Sequence, residues 1–446
     1  MSRRRQLRAR AVAGRERYST LLATATLQRD RARFVRYHLG RVAPWLVRAA
    51  AASPSRPSAI GSRILMLTIS SIDHDPRPNK VARSLVAAGF EVDIIAPAVE
   101  SQASEYEVEP GIRYVRIPAA SPTKVFVVYQ EEFLHAALTR DFEYIHANDL
   151  TTLTVAWIVA RLRRVPLIYD AHELWTENVE LKGGDWVPMS RNTRVVAGAW
   201  ERFLLRSVDL LVTVGPSIVQ EFARSDGLRR PPLLLANYPS LELLRPPPPP
   251  VSIREACGLS EAHFVTLYMG GVNPLRNIET VIEAHRHLPE DHVFVIMGPG
   301  VEIYRDEYRA IAAAAGVEHR VFFMPPVAMD EVAVAAADAD CGIVMLRNIC
   351  KNFYFFYPNK LFEYALAGLP IAASEFPDVT SFIRGERCGV TFDPESPESI
   401  AEALLSLSAD RAEARRMGER GRTAIVERYN WEAAVEGLVT AYRQLD

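Results

Sequence analysis

The 446-residue sequence lacks the patterns that mark several large classes of protein. Its four cysteines lie scattered, without the spacing of a zinc site or a disulfide framework, which fits a reducing compartment. The ten histidines contain no HExxH pattern, and no run of about 18 apolar residues occurs, so we expect neither that zinc motif nor a transmembrane helix. No apolar stretch with a cleavage site follows the N-terminal arginines, so we expect no secretory signal peptide.

Lysine is also scarce, since five lysines stand against 47 arginines, and the position of each lysine is therefore informative. The small total charge of −2 hides an uneven distribution along the chain. Residues 1–60 contain fourteen arginines and two acidic residues, a net charge of +12, so residues 61–446 carry −14. An acidic body of this size argues against nucleic acid as a partner.

The basic segment, residues 1–60, ends in a linker-like run of serine and proline at 53–58. Within it, residues 29–48 place apolar and arginine side chains on opposite faces of a helix that Pro44 would kink or end. Such a helix can lie on an anionic membrane surface, here through residues 1–52. The same pattern fits a helix packed on the acidic body, or a solvated tail. Because we expect neither a signal peptide nor a transmembrane helix, we expect a cytoplasmic protein. The possible membrane contact makes the inner membrane face one candidate location.

From Arg63 onward, short apolar runs typical of strands buried on both faces alternate with helical patterns, which predicts an α/β fold with doubly wound parallel sheets. Five consecutive prolines at 246–250 predict a stiff, extended connector, after which the alternation restarts. Two similar halves joined in this way predict two Rossmann-like domains facing across a cleft, a preferred place for a small-molecule site. The predicted strands are 64–69, 92–96, 144–147, 167–170 and 210–214, then 264–269, 293–297, 321–324, 341–345 and 370–373.

In the first half, candidate functional residues follow two predicted strands. Arg77 and Lys80 lie near a helix start, where backbone amides favour anions, although solvated surface charges fit equally well. This turn lacks GxGxxG, so a dinucleotide site is not supported. His172 follows the strand 167–170, where polar groups are placed for ligand contact, and it can also be a structural loop residue. His146 lies inside a strand pattern and is interpreted as packed.

In the second half, Gly270 and Gly271 follow the first strand, and Arg276 stands five residues later at a helix start. Glycine lets backbone approach a ligand, and arginine can bind phosphate oxygens through two donors. The run Gly298-Pro299-Gly300 after the next strand is interpreted as an ordinary turn.

The most informative segment predicts a helix over 359–367, started by Pro358 and ended by Gly368. The first-turn amides of Asn359, Lys360 and Leu361 can hold a diphosphate, and Lys360 adds a positive charge. Glu363 lies one turn on, where its carboxylate can accept hydrogen bonds from ribose hydroxyls or simply complement the helix N-terminus.

Together these segments resemble the family 4 glycosyltransferases of the GT-B architecture, over roughly residues 62–446. No single motif carries the resemblance, which rests on the order and spacing of several. The motifs are Val81 to Val92 with Gly89, Ile145-His146-Ala147-Asn148-Asp149-Leu150, Tyr169-Asp170-Ala171-His172-Glu173-Leu174, Trp200-Glu201 with Ser207-Val208-Asp209, Gly270-Gly271 with Arg276, Asn359-Lys360-Leu361-Phe362-Glu363-Tyr364 with Gly368-Leu369-Pro370, Asp393-Pro394, and Tyr429-Asn430-Trp431-Glu432.

The resemblance implies retaining transfer from a nucleoside-diphosphate sugar to a glycan or lipid-linked hydroxyl acceptor, as in synthesis of cell-envelope polysaccharide, without a metal or prosthetic group. It implies that Arg276 and Lys360 contact the donor diphosphate, Glu363 the ribose, and His172 the transferred sugar. The domains would be an N-terminal acceptor domain at 61–245, a connector at 246–258, a nucleotide-sugar domain at 259–430, and a last helix at 431–446 that crosses back. Asp338-Ala339-Asp340, which spells a DxD pair, is interpreted as structural.

The sequence departs from the family pattern at several positions. Phe355 stands where the first Glu of the E-x7-E pattern is expected, and Gly271 replaces a common arginine. Phe356-Tyr357-Pro358 replaces the usual Gly-Phe-Gly, and the first loop has Asp75-Pro76-Arg77-Pro78 instead of two glycines. These changes leave two alternatives open, a GT-B-shaped binding or scaffold protein without transfer activity and a nucleotide-sugar epimerase.

Overall fold

The computed structural model describes residues 43–45, 47–48, 62–70, 76–98, 104–117, 125–182, 185–244 and 252–445. By its internal contacts the chain divides into two compact units. Unit 1 comprises Met1–Thr213, Phe222–Leu233 and Val439–Asp446, and unit 2 comprises Val214–Glu221 and Leu234–Leu438. Apart from residues 43–45 and 47–48, which are helical, the predicted helix at 29–48 lies outside the described residues, as does the proline connector at 246–250.

Unit 1 contains an eight-stranded sheet of order β10-β9-β6-β5-β1-β2-β4-β3. The pairs β1–β2, β1–β5, β2–β4, β5–β6 and β6–β9 are parallel, and only the edge pair β3–β4 is antiparallel among the pairings described for this sheet. A separate antiparallel hairpin joins β7 and β8. The strands are β1 Arg63–Leu67, β2 Glu91–Pro97, β3 Ser104–Glu109, β4 Ile112–Ile117, β5 Tyr144–Asn148, β6 Leu167–Ala171, β7 Val179–Lys182, β8 Asp185–Pro188, β9 Leu210–Thr213 and β10 Leu233–Leu234.

The helices of unit 1 follow its strands as a doubly wound fold requires. Helix α1 begins at Pro76. Two prolines fit its first turn because the amide hydrogens they lack would have no partner there. The helices up to the start of unit 2 are α1 Pro76–Ala87, α2 Val125–Leu138, α3 Asp149–Arg163 and α4 Arg191–Leu205.

Unit 2 contains a six-stranded sheet of order β13-β12-β11-β14-β15-β16, in which all five pairs are parallel. Every residue of β11 and β12 is buried, because helices cover both faces of the sheet. The strands are β11 Phe264–Met269, β12 His292–Met297, β13 Val321–Met324, β14 Cys341–Val344, β15 Ile371–Ser374 and β16 Gly389–Phe392.

The helix predicted over 359–367 is present in unit 2 with the same bounds. The sequence patterns did not predict the helices at 216–223, 253–257, 351–354, 377–386 and 411–427. The helices are α5 Pro216–Ala223, α6 Ile253–Cys257, α7 Ile278–Ala284, α8 Val301–Ala314, α9 Val332–Ala336, α10 Lys351–Tyr354, α11 Asn359–Ala367, α12 Pro377–Glu386, α13 Pro397–Ala409, α14 Arg411–Glu427 and α15 Trp431–Arg443.

The end of α15 belongs by its contacts to unit 1, whereas the start of the helix belongs to unit 2. Within unit 1, the ring of Tyr442 packs edge-on against Phe90 and Tyr144, and its hydroxyl lies 2.6 Å from Nδ1 of His146. In the part of the chain that the structure describes, no helix is long and apolar enough to cross a membrane.

Candidate functional site

The strand order of unit 2 defines where a ligand is expected. Numbered from β11, the order is 3-2-1-4-5-6, so the connections from β11 and from β14 run in opposite directions along the sheet. Ligands of such sheets bind beyond the carboxyl ends of the strands at this switch point. The loop that begins at Gly270 follows β11, and α11 lies in the connection from β14 to β15, so the predicted site residues of the second half flank the switch point.

Gly270 and Lys360 meet at the end of β11. Gly270 has φ +131°, a conformation that strains any residue with a side chain, and a Cβ there would lie 3.2 Å from Nζ of Lys360. The ammonium group also lies over the ring of Tyr268, with Nζ 3.8 Å from the ring centroid. Gly270 is therefore required both by its backbone and by the lysine that lies against it.

The turn Gly298-Pro299-Gly300 is more than the ordinary turn predicted from the sequence. Gly298 and Gly300 have φ +140° and +95°, and a Cβ on Gly298 would lie 2.2 Å from the carbonyl oxygen of Gly270. A Cβ on Gly300 would lie 2.4 Å from the carbonyl oxygen of Val272. The loops after β11 and β12 thus pack backbone against backbone, which fixes the loop that carries Arg276.

Helix α11 begins at the switch point without a side-chain cap, because Pro358 at its N-cap offers no acceptor. Lys360 is buried, and Leu361 is fully buried in the core of the unit. Asn359 and Glu363 are half-buried, with Glu363 one turn after Asn359. An uncapped helix start next to a lysine is a geometry that favours an anion.

Tyr364 fixes α11 against the sheet. Its hydroxyl accepts a hydrogen bond from the amide of Met269 at 2.7 Å and donates one to the carbonyl of Leu267 at 3.1 Å. Its ring lies on Gly342 of β14, where a Cβ would come within 2.3 Å of the ring. Since Tyr364 is joined to β11 in this way, Lys360 on the same helix is held in register with Gly270. Neither Tyr364 nor Gly342 was predicted from the sequence to have this role.

Arg276 ends a short turn, Pro274–Arg276, that the side chain of Asn273 caps by accepting the amide of Leu275 at 3.1 Å. Within the described residues its buried Nε has no hydrogen-bond partner. The next residue, Asn277, is buried with φ +58°, and its Nδ2 donates to the carbonyl of Pro394 at 2.6 Å. The sequence prediction did not include Asn277, which locks the backbone directly after Arg276.

Two basic side chains, Arg276 and Lys360, lie close together at this site. Burial lowers the pKa of Lys360 well below its usual range, the neighbouring charge of Arg276 lowers it further, and only Glu363 opposes these effects. An anionic ligand would reverse this balance, because its charge stabilises the protonated lysine and pairs with the arginine.

Two departures from the family pattern, Phe355 and Gly271, lie near this site. Phe355 packs beside Tyr354, with Nζ of Lys351 5.6 Å from its ring centroid, and so offers no carboxylate. A Cβ on Gly271 would meet nothing within 4 Å, so the missing arginine leaves open space there.

The DxD pair is structural, as interpreted from the sequence. Asp338 Oδ2 accepts hydrogen bonds from the hydroxyl of Ser252 at 2.7 Å and the amide of Arg254 at 2.9 Å. Asp340 Oδ2 accepts from Nη2 of Arg254 at 2.6 Å and from the amide of Val265 at 2.8 Å. These contacts lie at the amino end of β11, away from the switch point.

In unit 1, the predicted anion-binding residue Arg77 is instead committed to a buried carboxylate. Its Nε and Nη2 donate to the two oxygens of Asp170 at 3.0 and 2.8 Å, and both side chains are almost fully buried. The interpretation of Arg77 as a solvated surface charge is therefore wrong, and its charge is already matched by a carboxylate. Lys80 lies half-buried on the same helix.

His172 lies between two carboxylates at the carboxyl edge of the unit 1 sheet. Its Nε2 is 3.5 Å from Oδ2 of Asp170, and its Nδ1 is 3.4 Å from Oδ2 of Asp149. Its amide donates to Oδ1 of Asp149 at 3.1 Å, which ties the loop after β6 to the start of α3. Burial opposes protonation, but Asp149 and Asp170 together raise the pKa of His172.

The neighbouring buried groups set the charge of Asp170. Burial alone would raise the pKa of Asp170, but Arg77 and then His172 hold it well below its usual range. His146 is fully buried in β5 next to Tyr442, as expected of a packed residue, and burial lowers its pKa. The cluster therefore consists of Asp170, whose ionised form is stabilised, its arginine partner, and His172, whose protonated form is stabilised by two carboxylates.

Two α/β units in series, each with a doubly wound parallel sheet and candidate polar groups at the strand carboxyl ends, define the GT-B architecture. The family description "Glycosyl transferase 4-like domain" matches residues 74–237, and "Glycosyl transferases group 1" matches residues 252–424. Together these matches span most of the chain, and the protein belongs to this glycosyltransferase family.

Curated relatives extend the likeness over most of both chains. D-inositol 3-phosphate glycosyltransferase of Xylanimonas cellulosilytica is 25% identical over 431 residues, covering 87% of this chain and 98% of the relative. The enzyme of the same name from Geodermatophilus obscurus is 26% identical over 390 residues, covering 81% of this chain and 82% of the relative.

Solved structures share the fold. Sucrose-phosphate synthase from Thermosynechococcus elongatus has a TM-score of 0.69 at 19% identity, covering 86% of this chain and 99% of that chain. Anabaena HepE in complex with UDP and glucose has a TM-score of 0.64 at 16% identity, covering 86% of this chain and 100% of that chain.

Proposed function

We propose that this glycosyltransferase moves a sugar with retention of configuration from a nucleoside-diphosphate sugar to a hydroxyl acceptor. The observation that carries the proposal is the pair of basic side chains, the buried Lys360 and the half-buried Arg276, at the uncapped start of α11. A diphosphate matches this site in charge, because it presents several anionic oxygens to two cations and a helix N-terminus. The HepE structure in complex with UDP-glucose supports a nucleotide-sugar donor.

In the proposed reaction the diphosphate is the leaving group, and it also assists removal of the acceptor proton on the same face of the sugar. The chain's own contribution is then positioning and stabilisation of negative charge as the glycosidic bond to the diphosphate breaks. Arg276, Lys360 and the first amides of α11 supply that charge stabilisation, so the proposal does not require a metal ion. Glu363 is proposed to accept hydrogen bonds from the ribose hydroxyls.

His172 is proposed to contact the transferred sugar. Burial opposes protonation of its imidazole, but Asp149 and Asp170 together raise its pKa. These carboxylates lie 3.4 and 3.5 Å from the ring nitrogens and orient the imidazole at the carboxyl end of β6.

The acceptor class is proposed to be a glycan or a lipid-linked sugar, with a location at the inner face of the membrane. The names of the curated relatives make an inositol 3-phosphate the first soluble acceptor to test. The basic segment 1–52 is proposed to contribute an electrostatic attraction to an anionic surface, and its deletion should weaken vesicle binding without changing donor binding.

The decisive experiment compares wild-type protein with Lys360→Met in calorimetric titration against nucleoside diphosphates. Methionine keeps an unbranched stem over Tyr268 and removes the charge. We expect affinity to fall about 10- to 100-fold, as for a lost charge-assisted hydrogen bond. The empty protein should not become less stable, because an unpaired buried charge is itself costly. Arg286→Met, at an exposed arginine of the same unit, is the matched control and should bind as wild type does.

Turnover is tested separately with donor sugars and acceptors, following release of the nucleoside diphosphate. Nucleotide binding without release from any donor would favour the scaffold alternative that Phe355 suggests. Release of a free epimerised sugar nucleotide would favour the epimerase. Equal nucleotide affinity for Lys360→Met and wild type would refute the proposed phosphate site.

A further inference from the structure

The solvent side of α4 in unit 1 presents an apolar stripe that no described element covers. Val195 and Val196 are 59% and 71% exposed, and Trp200 and Phe203 are also exposed. Val196, Trp200 and Phe203 recur at the spacing i, i+4, i+7, which normally marks the buried face of a helix. The buried face of α4 is a different one, formed by Gly198, Glu201, Leu204 and Leu205.

The two rings of the stripe are held in place. Nε1 of Trp200 donates to Oγ1 of Thr154 on α3 at 3.0 Å, and the ring stacks on Phe203 with centroids 5.2 Å apart. Phe203 also packs against Trp157 of α3, with centroids 5.6 Å apart. Because the exposed rings are already ordered, a partner would lose little side-chain entropy on contact.

The hairpin that leads into α4 continues the apolar character. Leu181 of β7 and Trp186 of β8 are directly opposite each other in the ladder, so their side chains share one face, and both are exposed. The hairpin is tied to the helix start, because Glu180 accepts the amide of Ser190, the residue that caps α4. We call these six residues the α4 surface: Leu181, Trp186, Val195, Val196, Trp200 and Phe203.

The charges around the α4 surface are mainly basic, in contrast to the net charge of −14 on residues 61–446. Arg191, Arg202 and Arg206 are exposed along and just after the helix. The single acid of α4, Glu201, points inward and accepts a hydrogen bond from the hydroxyl of Tyr169 at 2.9 Å. Neighbouring elements contribute Glu177, which lies 3.6 Å from Arg194 of α4, and the exposed Asp185, whose charge the exposed Lys182 of the same hairpin offsets.

This charge pattern distinguishes between three possible partners of the α4 surface: the segment 1–60, a second copy of the chain, and a lipid bilayer. The segment 1–60 carries +12 and would be repelled by the arginines, so it does not complement the surface. A second copy docked on the same surface would place these arginines near their own counterparts. An anionic bilayer complements both features, since phospholipid headgroups attract arginines while valine and aromatic side chains enter the headgroup boundary.

We propose that the α4 surface docks on an anionic lipid bilayer, as a second contact distinct from the basic segment 1–52. This contact is made by side chains of α4 and of the β7–β8 hairpin in unit 1. The proposal is independent of the transfer reaction, because none of its residues belongs to the sites described above. It is tested by vesicle binding, which does not depend on turnover.

The test uses the full chain in co-sedimentation with phosphatidylglycerol vesicles at physiological salt. Val195→Ser/Val196→Ser should weaken binding about tenfold, through loss of apolar area that would enter the bilayer. The matched control is Ile303→Ser/Met329→Ser, two residues of unit 2 that are 76% and 60% exposed, which should leave binding unchanged. All these proteins carry the same basic segment, so its contribution cancels in the comparison.

A second pair of variants separates the charge contribution. Arg191→Gln/Arg202→Gln should weaken binding to phosphatidylglycerol vesicles about 25-fold, at roughly fivefold for each arginine near the surface. Arg415→Gln/Arg422→Gln, at exposed arginines of α14, is the control. With vesicles of phosphatidylcholine alone, the Arg191→Gln/Arg202→Gln effect should disappear.

Two results would overturn the proposal. One is equal vesicle affinity for the valine variant and its control, which would leave the basic segment as sufficient. The other is a change in sedimentation coefficient of the valine variant without a change in vesicle affinity, which would make the α4 surface an interface between copies of the chain. Far-ultraviolet circular dichroism and melting temperature verify that the exposed substitutions leave the fold intact.

Discussion

The buried pair Arg77–Asp170 makes a sharp prediction for Asp170→Asn. The two side chains are 4% and 0% exposed, and two hydrogen bonds join them at 2.8 and 3.0 Å. Asparagine keeps the size of the side chain but leaves the guanidinium charge without its carboxylate. Removing one partner of a buried pair costs about 3–5 kcal/mol, because the remaining charge stays desolvated.

The measurement is the free energy of unfolding at pH 7, from urea denaturation, with amide exchange of the β5 and β6 peptides to locate the loss in unit 1. The control is Glu109→Gln in the exposed pair Arg83–Glu109, which should cost about 0–1 kcal/mol. The double variant Arg77→Met/Asp170→Asn should recover more than about 1 kcal/mol of the loss, since it removes the stranded charge as well.

The pH dependence provides an independent check. Because the folded pKa of Asp170 is lowered, its contribution to stability is present above its unfolded pKa of about 4 and is lost as the pH falls through the folded value. The stability difference between wild type and Asp170→Asn should therefore shrink on acidification below about pH 4. A cost at pH 7 no larger than that of the exposed control would refute the reasoning.

Three further predictions concern single side chains. Tyr364→Phe should cost about 2–4 kcal/mol in unfolding free energy, because it strands a buried amide and a buried carbonyl of β11, and urea denaturation measures it. Gly270→Ala should cost about 1–3 kcal/mol through its positive φ, whereas Gly271→Ala should stay within about 0.5 kcal/mol, as a melting series would show. The imidazole of His172 should titrate above pH 6.5 by NMR, so its stabilising contribution is present below that pH and is lost as the pH rises through the raised value. A midpoint below 6.5 would contradict this.

The strands that the sequence predicts well are those buried on both faces. The apolar runs at 264–269 and 293–297 became β11 and β12 almost residue for residue, because full burial requires an uninterrupted apolar segment. β3 was missed because five of its six residues are exposed and three of the six are glutamates, a composition typical of loops. The β7–β8 hairpin was missed for the same reason, since its residues face solvent or lie half-buried.

The candidate site shows a similar limit. The position of Lys360 at a helix start could be predicted because Pro358 and Gly368 are local signals. They stand in the sequence directly next to the two ends of the helix. The need for glycine at 298 arises from the carbonyl of Gly270, on a different loop, and has no local signal. The partner of Arg77 lies 93 residues away, so nothing near the arginine in sequence indicates that a carboxylate will cover it.

The contacts of Tyr442 have a consequence for how the protein folds during synthesis. Its hydroxyl meets His146, and its ring packs on two aromatic rings of unit 1, yet the ribosome adds it only after all of unit 2. Folding during synthesis usually proceeds from the N-terminal unit onward. Part of the aromatic core of unit 1 therefore stays uncovered while unit 2 is translated. Expression of residues 61–245 alone would leave that core uncovered throughout, and we expect such a fragment to aggregate unless a chaperone or a synthetic peptide of α15 is added.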